Sequence, residues 1–236
     1  MAEIAQNSVL SLLLPVRGRP DCVARLFESI VATADRPDRI EVVLFLDADD
    51  RASHNVGHPR LSVRRCIGRS AKMGAMTGAC YAAARGDYLM LMNDDVVCRT
   101  AGWDTAVVEA LNRFPDRIAL VWCNDLFRGA ALPCLPAFHR EAWALAGGLV
   151  PVEYNRDYID THLYDIFRKL KALGCDRLAY LKDIVLEHMH FEAGKAPLDA
   201  TYVKPREFAD ELVFIAWEEG RQIAAENLAR RAKGRP

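Results

Sequence analysis

Leu89-Met90-Leu91-Met92-Asn93-Asp94-Asp95-Val96 says more about this chain than any other stretch. The apolar run from Tyr88 to Met92 reads as a buried strand, since a strand covered on both faces has no polar side to alternate with. It stops at an amide and two carboxylates. Adjacent carboxylates at the end of a buried strand repel one another and need a cation or hydrogen-bond donors to compensate them. Oxygen ligands suit a hard cation such as Mg²⁺ or Mn²⁺. Such a cation could hold a diphosphate and offset the charge developing on it as it leaves. Taken alone, the same residues also fit a loop or a helix cap.

Two strands upstream and one downstream repeat the pattern. Val9 to Pro15 is a continuous apolar run, followed by the loop Arg17-Gly18-Arg19-Pro20-Asp21. Asp21 is expected to cap a helix from about Cys22 to Ala34 with Val23, Leu26, Phe27, Ile30 and Val31 on one face. Ile40 to Leu46 reads as the second strand and ends in Asp47-Ala48-Asp49-Asp50; Ile118 to Cys123 ends in Asn124-Asp125. Leu61 to Cys66 reads as a further short strand and Arg177 to Leu186 as the last one. The intervening segments 75–85, 100–114, 140–146 and 157–173 read as helices. Alternating strands and helices predict a mostly parallel sheet flanked by helices, whose ligand lies at the carboxyl ends of the strands.

The remaining chemistry falls in loops facing that edge. Arg17, Arg19, Arg69 and Lys72 would suit a pyrophosphate, although isolated basic residues also serve solubility. Asp157 and Asp160 open the long amphipathic stretch that stops at Gly174; either could act as a general base, and for Asp157 an ordinary cap is the plainer reading. In His188-Met189-His190 two alternating residues share a side of an extended segment, so their imidazoles converge.

Composition sets the class. With 31 basic and 32 acidic residues the chain lacks the basic excess of a duplex-binding protein, so nucleic acid is not expected as a partner. The seven cysteines are scattered with no Cys-x-x-Cys pair, so neither a structural zinc site nor a redox pair is expected, and a reducing compartment is the natural reading. Met1 to Asn7 carries no basic cluster, and the apolar run to Val16 is too short to span a bilayer. A cytoplasmic protein is expected, with peripheral membrane contact left open by the basic tail from Arg230 to Arg235 and a homodimer also left open. Residues 1–204 read as one domain and 205–236 as a C-terminal helical extension.

These clusters, in this order, resemble the family-2 glycosyltransferases of GT-A fold, from about Ser8 to His190. Ser8 to Arg19 looks like the family's opening strand and its Pro-x-x-Asn-Arg loop, with Pro15 in place and Gly18 where the family has Asn. Asp47 falls where a strand-terminal Asp contacts the nucleotide base. Asn93-Asp94-Asp95 stands at the Asp-x-Asp motif, with Asn93 in place of the first acid, and Gly78 stands where the family often has Asn. Gly147-Gly148-Leu149 followed by Asp160 is similar to the Gly-Gly-Phe motif and the catalytic Asp beyond it. His188 matches a late metal-binding histidine.

The resemblance implies a glycosyltransferase moving a sugar from a nucleotide-diphosphate donor, UDP-linked by analogy, to a hydroxyl on a saccharide, lipid or small molecule, with inversion. It implies Asp160 as catalytic base. Pro15, Arg17, Asp47, Asp49, Lys72 and Asp94 would lie around the donor, and Asp95 and His188 around the divalent cation. A nucleotidyltransferase and a non-catalytic sugar-nucleotide-binding protein are the rival classes; the first would show a Gly-rich basic loop after the first strand, and the loss of an acid at Asn93 keeps the second in view.

Overall fold

The computed structural model describes residues 9–198 and 209–234. Met1 to Ser8, the start of the expected C-terminal extension at residue 205, and Arg235 lie outside the described residues.

Eight strands form a sheet in the order β3-β2-β1-β4-β7-β6-β8-β5. β1 (Leu10–Val16), β2 (Ile40–Asp47), β3 (Ser62–Gly68) and β4 (Tyr88–Leu91) are mutually parallel. β7 (Ala137–His139) runs antiparallel between β4 and β6 (Leu120–Asn124), so β6 points the same way as β4. β8 (Leu178–His188) is parallel to β6, and its far end pairs antiparallel with β5 (Val96–Cys98). Five strands that matter for function, β1, β2, β4, β6 and β8, therefore deliver their carboxyl ends to one rim.

Alternation along β1 divides the core into two layers. Leu12 and Leu14 face α1 (Pro20–Thr33) and α3 (Trp103–Asn112), packing with Leu26, Phe27, Trp103 and Val107. Leu13 faces the other way, into a layer shared with α2 (Met73–Ala83), α4 (Arg140–Leu145), α5 (Ile159–Ala172) and α7 (Glu218–Ala232). Burying a leucine or phenylalanine on either side contributes about 1.5–3 kcal/mol, which is why the strands read as unbroken apolar runs.

Local detail departs from the sequence reading in a few places. Asp21 does not cap α1; Pro20 occupies the first turn and the cap residue Arg19 makes no side-chain capping bond. Proline suits that position because its missing N–H would be unpaired there anyway. Asp21 instead sits in the first turn, where it faces the helix dipole favourably. α2 stops at Ala83, short of the expected end at residue 85. A Cβ on Gly86 would lie 2.3 Å from the Val9 carbonyl, and its amide donates to Ser11 Oγ at 2.9 Å, so the residue serves a close backbone crossing. The strands β5 and β7, three residues each, carry no sequence signal of their own length.

α6 (Ala209–Ala216) and α7 close over α5. Arg221, fully buried, pairs with Asp165 of α5 at 2.6 Å and stacks on Phe214. No helix among the described residues is long and apolar enough to cross a membrane.

Candidate active site

The loop after β1 straps two acidic strand ends together. Arg17 reaches the end of β2, with Nη1 2.9 Å from Asp47 Oδ2 and Nη2 3.7 Å from Asp49; it also donates to Ser70 Oγ. The Gly18 amide donates to Asp50 Oδ2 at 2.6 Å. Arg19 turns towards β4, with Nη1 3.0 Å from Asp94 and 3.8 Å from Asp95. Asp47 is wholly buried; burial raises its pKa, and the Arg17 guanidinium works against that. Pro15, half-buried in β1 opposite Phe45, leads into this loop. Asp49 is exposed beside it.

At the neighbouring strand end, Asp95 is buried and its Oδ1 lies 3.1 Å from His188 Nε2. The junction is locked by backbone bonds, Met189 amide to Asp95 carbonyl at 2.8 Å and His188 amide to Asp125 carbonyl at 2.9 Å. His188 and His190 do converge, with ring centroids 5.1 Å apart. Burial, then His188, holds the His190 imidazole below the usual range, and Asp95 and Arg156 also act on it.

Asp160 lies in the first turn of α5, half-buried, with Oδ1 accepting from the Thr161 amide at 2.7 Å and hydroxyl at 3.3 Å. Burial raises its pKa against those bonds. Its charge also acts on the Cys134 thiol, and Cys134 offers a donor atom within 4.8 Å of one on His188. Asp157 does not cap α5; Tyr158 occupies the cap with φ +67°. Lys72, exposed, stands at the cap of α2, whose next two amides bond to the carbonyls of Asn155 and Tyr154 at 3.1 and 2.9 Å. A Cβ on Gly74 would lie 2.0 Å from the Pro151 carbonyl, so glycine lets that loop dock.

The buried Asp95 carboxylate and His188 Nε2, 3.1 Å apart, are of the kinds that ligate a divalent cation such as Mn²⁺ or Mg²⁺. Arg19 is a counter-charge to both the Asp94 and Asp95 carboxylates.

Arg19, expected at this edge beside a pyrophosphate, instead pairs with the acids after β4, and Ser70, Cys134 and Asp210 were not expected at the site. Asp125 carried the same signal as Asp47, a carboxylate closing an apolar strand. Asp210 had none.

A curled α/β sheet with carboxylates along one rim defines the GT-A fold. The chain belongs to glycosyl transferase family 2, whose pattern matches residues 11–128, half of its length. Asp160 and His188 lie beyond that segment. The fold is shared with Staphylococcus aureus TarS 1–349 in complex with UDP-GlcNAc, at TM-score 0.62 and 13% identity over 96% of this chain and 73% of that one. In another crystal structure of TarS 1–349 the match has TM-score 0.59 and 11% identity, and it spans 75% of this chain but only 59% of that one. The Pyrobaculum calidifontis mannosyltransferase PcManGT, in complex with GDP-Man and Mn²⁺, matches at TM-score 0.57 and 15% identity over 97% and 76%. Glucosyl-3-phosphoglycerate synthase from Mycobacterium tuberculosis, with Mn²⁺, UDP-glucose and phosphoglyceric acid, matches at TM-score 0.54 and 18% identity over 99% and 83%. No curated protein matches the chain in sequence.

Proposed function

We propose that this chain transfers a sugar from a nucleoside-diphosphate donor, UDP-linked, to an acceptor hydroxyl, with a divalent cation and with inversion. The observation that carries the reading is the Arg17-Gly18-Arg19 loop, which ties the acids ending β2 to those ending β4. Two of the similar structures named above hold UDP-linked sugars and two hold Mn²⁺.

In this reading Asp47, assisted by Asp49, accepts hydrogen bonds from the nucleoside, and Pro15 shapes the loop beneath it. Arg17 and Lys72 add positive charge beside the diphosphate, and Asp94 steadies Arg19 there. Asp95 and His188 would hold the cation, which when bound neutralises the departing diphosphate. Asp160 takes the proton from the acceptor hydroxyl. As that oxygen bonds to the anomeric carbon, the carbon–phosphate oxygen bond breaks and the nucleoside diphosphate leaves with the electron pair. A single displacement with the base opposite the leaving group inverts the centre.

The division into a transferase domain over 1–204 and a helical extension over 205–236 belongs to this proposal, as does a cytoplasmic setting. All seven cysteines are free thiols, which supports the latter.

The test is a thermal-shift screen of nucleotide sugars with and without Mn²⁺. A UDP-sugar should raise the melting temperature, and more so with the metal, because a ligand bound only by the folded state stabilises it. If no nucleoside-diphosphate sugar shifts the transition under either condition, the donor reading is wrong.

A further inference from the structure

Asp125, Cys134 and His188 each offer a donor atom, and these atoms lie within 4.8 Å of one another. Asp125 and His188 are 2% and 7% exposed. Asp125 Oδ1 is saturated by the amides of Phe127, Arg128 and Gly129 at 3.1, 2.9 and 2.7 Å, which fixes the carboxylate. Its Oδ2 has no oxygen or nitrogen donor, and His188 Nδ1 has no partner either. Of these two buried atoms, His188 Nδ1 is left without any hydrogen-bond partner, an uncommon state that calls for a physical reason. The group beside them is the Cys134 thiol. Its S–H hydrogen-bonds the Asp125 carboxylate, and a cation binding there displaces that proton.

One sulfur, one imidazole nitrogen and one carboxylate oxygen form a donor set that selects zinc over magnesium or calcium. We propose that Asp125, Cys134 and His188 bind a zinc ion at a site separate from the Asp94–Asp95 pair. Three protein ligands leave the fourth position to water. On binding, the Cys134 S–H bond breaks, the thiolate takes the metal and the proton goes to solvent.

The two sites compete for His188. Zinc on Nδ1 leaves the proton on Nε2, where it donates to Asp95 Oδ1 3.1 Å away. A cation shared by Asp95 and Nε2 needs the proton on Nδ1 instead. A neutral imidazole serves one or the other, so zinc withdraws His188 from the donor-side cation and inhibits. The inhibition rests on the transferase reading; the binding does not.

The test uses the full chain. Zn²⁺ affinity is measured by competition with a chromophoric chelator, and Co²⁺ is substituted as an optical probe. We expect one zinc per chain and a sulfur-to-cobalt charge-transfer band in the near ultraviolet. Cys134→Ser should abolish the band and weaken zinc at least about tenfold, Asp125→Asn should weaken it similarly, and Cys66→Ser should change neither. Melting curves establish that each variant is folded. Zinc should suppress the Mn²⁺-dependent thermal shift with a nucleotide sugar in the parent chain and not in Cys134→Ser. Equal zinc affinity in parent and Cys134→Ser, or a cobalt complex without the sulfur band, overturns the proposal. Zinc binding as described in a chain with no nucleotide-sugar response would instead refute the transferase reading and leave this site standing.

Discussion

Asp210 accepts a hydrogen bond from the backbone amide of Asp157 at 2.8 Å, across 53 residues of chain. The same carboxylate takes the amides of Asn155 and Arg156 at 2.7 and 2.8 Å. Three successive donors thus end on one buried anion, and the turn they belong to launches α5 and Asp160. Arg221 of α7 pairs with Asp165 of α5, so the C-terminal helices are tied to α5 and the turn before it at two points. A side chain from the C-terminal helices therefore sets where the base candidate stands.

Removing that clamp leaves three amides without their acceptor. Hydrogen bonds to a charged group contribute about 1.5–3 kcal/mol, so Asp210→Ala should cost about 3 kcal/mol in chemical denaturation, with Asp210→Asn losing less. Turnover should fall more than donor binding, because the base moves while the rim at β1 and β2 does not. An unshifted midpoint for Asp210→Ala would show that the turn holds itself.

Arg19 is the counter-charge shared by Asp94 and Asp95. Truncating one partner of a largely buried ion pair strands the other, at a cost of about 3 kcal/mol. Arg19→Ala should therefore melt earlier at neutral pH, and Mn²⁺ should recover more stability in the variant than in the parent, since the cation replaces the missing charge. Equal metal-induced shifts in the two proteins would place the cation elsewhere.

Asp160→Asn should lose about 10²–10⁴-fold in turnover, the usual contribution of a general base, with the donor-induced thermal shift intact. Burial raises the Asp160 pKa above its ordinary 3.8. A base works ionised, so activity should fall as pH drops through that raised value, and the acid limb should lie above the range of exposed aspartates. Thr161→Ala, which removes a hydroxyl bond favouring the charged form, should move the limb further up. A limb at the ordinary aspartate value argues that another group is the base.

Two buried histidines predict acid sensitivity. Burial, then nearby arginines, lowers His139 to about 4 and His162 to about 3 from 6.5; His162 Nδ1 lies 2.8 Å from the Tyr154 hydroxyl. Between those values and 6.5 the unfolded chain binds the extra protons, so stability is full above 6.5 and lost as pH falls through that window. His139 alone is worth about 3 kcal/mol across it. The raised pKa values of Asp47 and Asp160 act in the opposite sense. His162→Phe should therefore be compared with the parent over pH 7 to 4 by calorimetry; it should lose less of its melting temperature, and parallel curves would dismiss the buried-neutral assignment.

Much of the frame could be read from residue order. The unbroken apolar runs at β1, β2 and β4 announce strands covered on both faces, and the acids that end β2, β4 and β6 announce the functional rim. The three-residue strands β5 and β7 were illegible, because so short a segment has no period and exists only through the neighbours it pairs with. Asp21 misled for a related reason: a capping residue type was present, but the adjacent proline was better suited to the first turn.

Partnerships were a different matter. Local pattern established which residues are strands, which faces are apolar and where carboxylates accumulate, since those follow from period and burial along a few consecutive residues. That Arg17 would meet Asp47 and Arg19 meet Asp94, that Cys134 would stand beside Asp125 and His188, and that Asp210 would hold the turn before Asp160 were decided in three dimensions. Most of those partners are separated by long stretches of chain, and a hydrogen bond or ion pair depends on a few ångströms of distance that only the packed sheet and its covering helices impose.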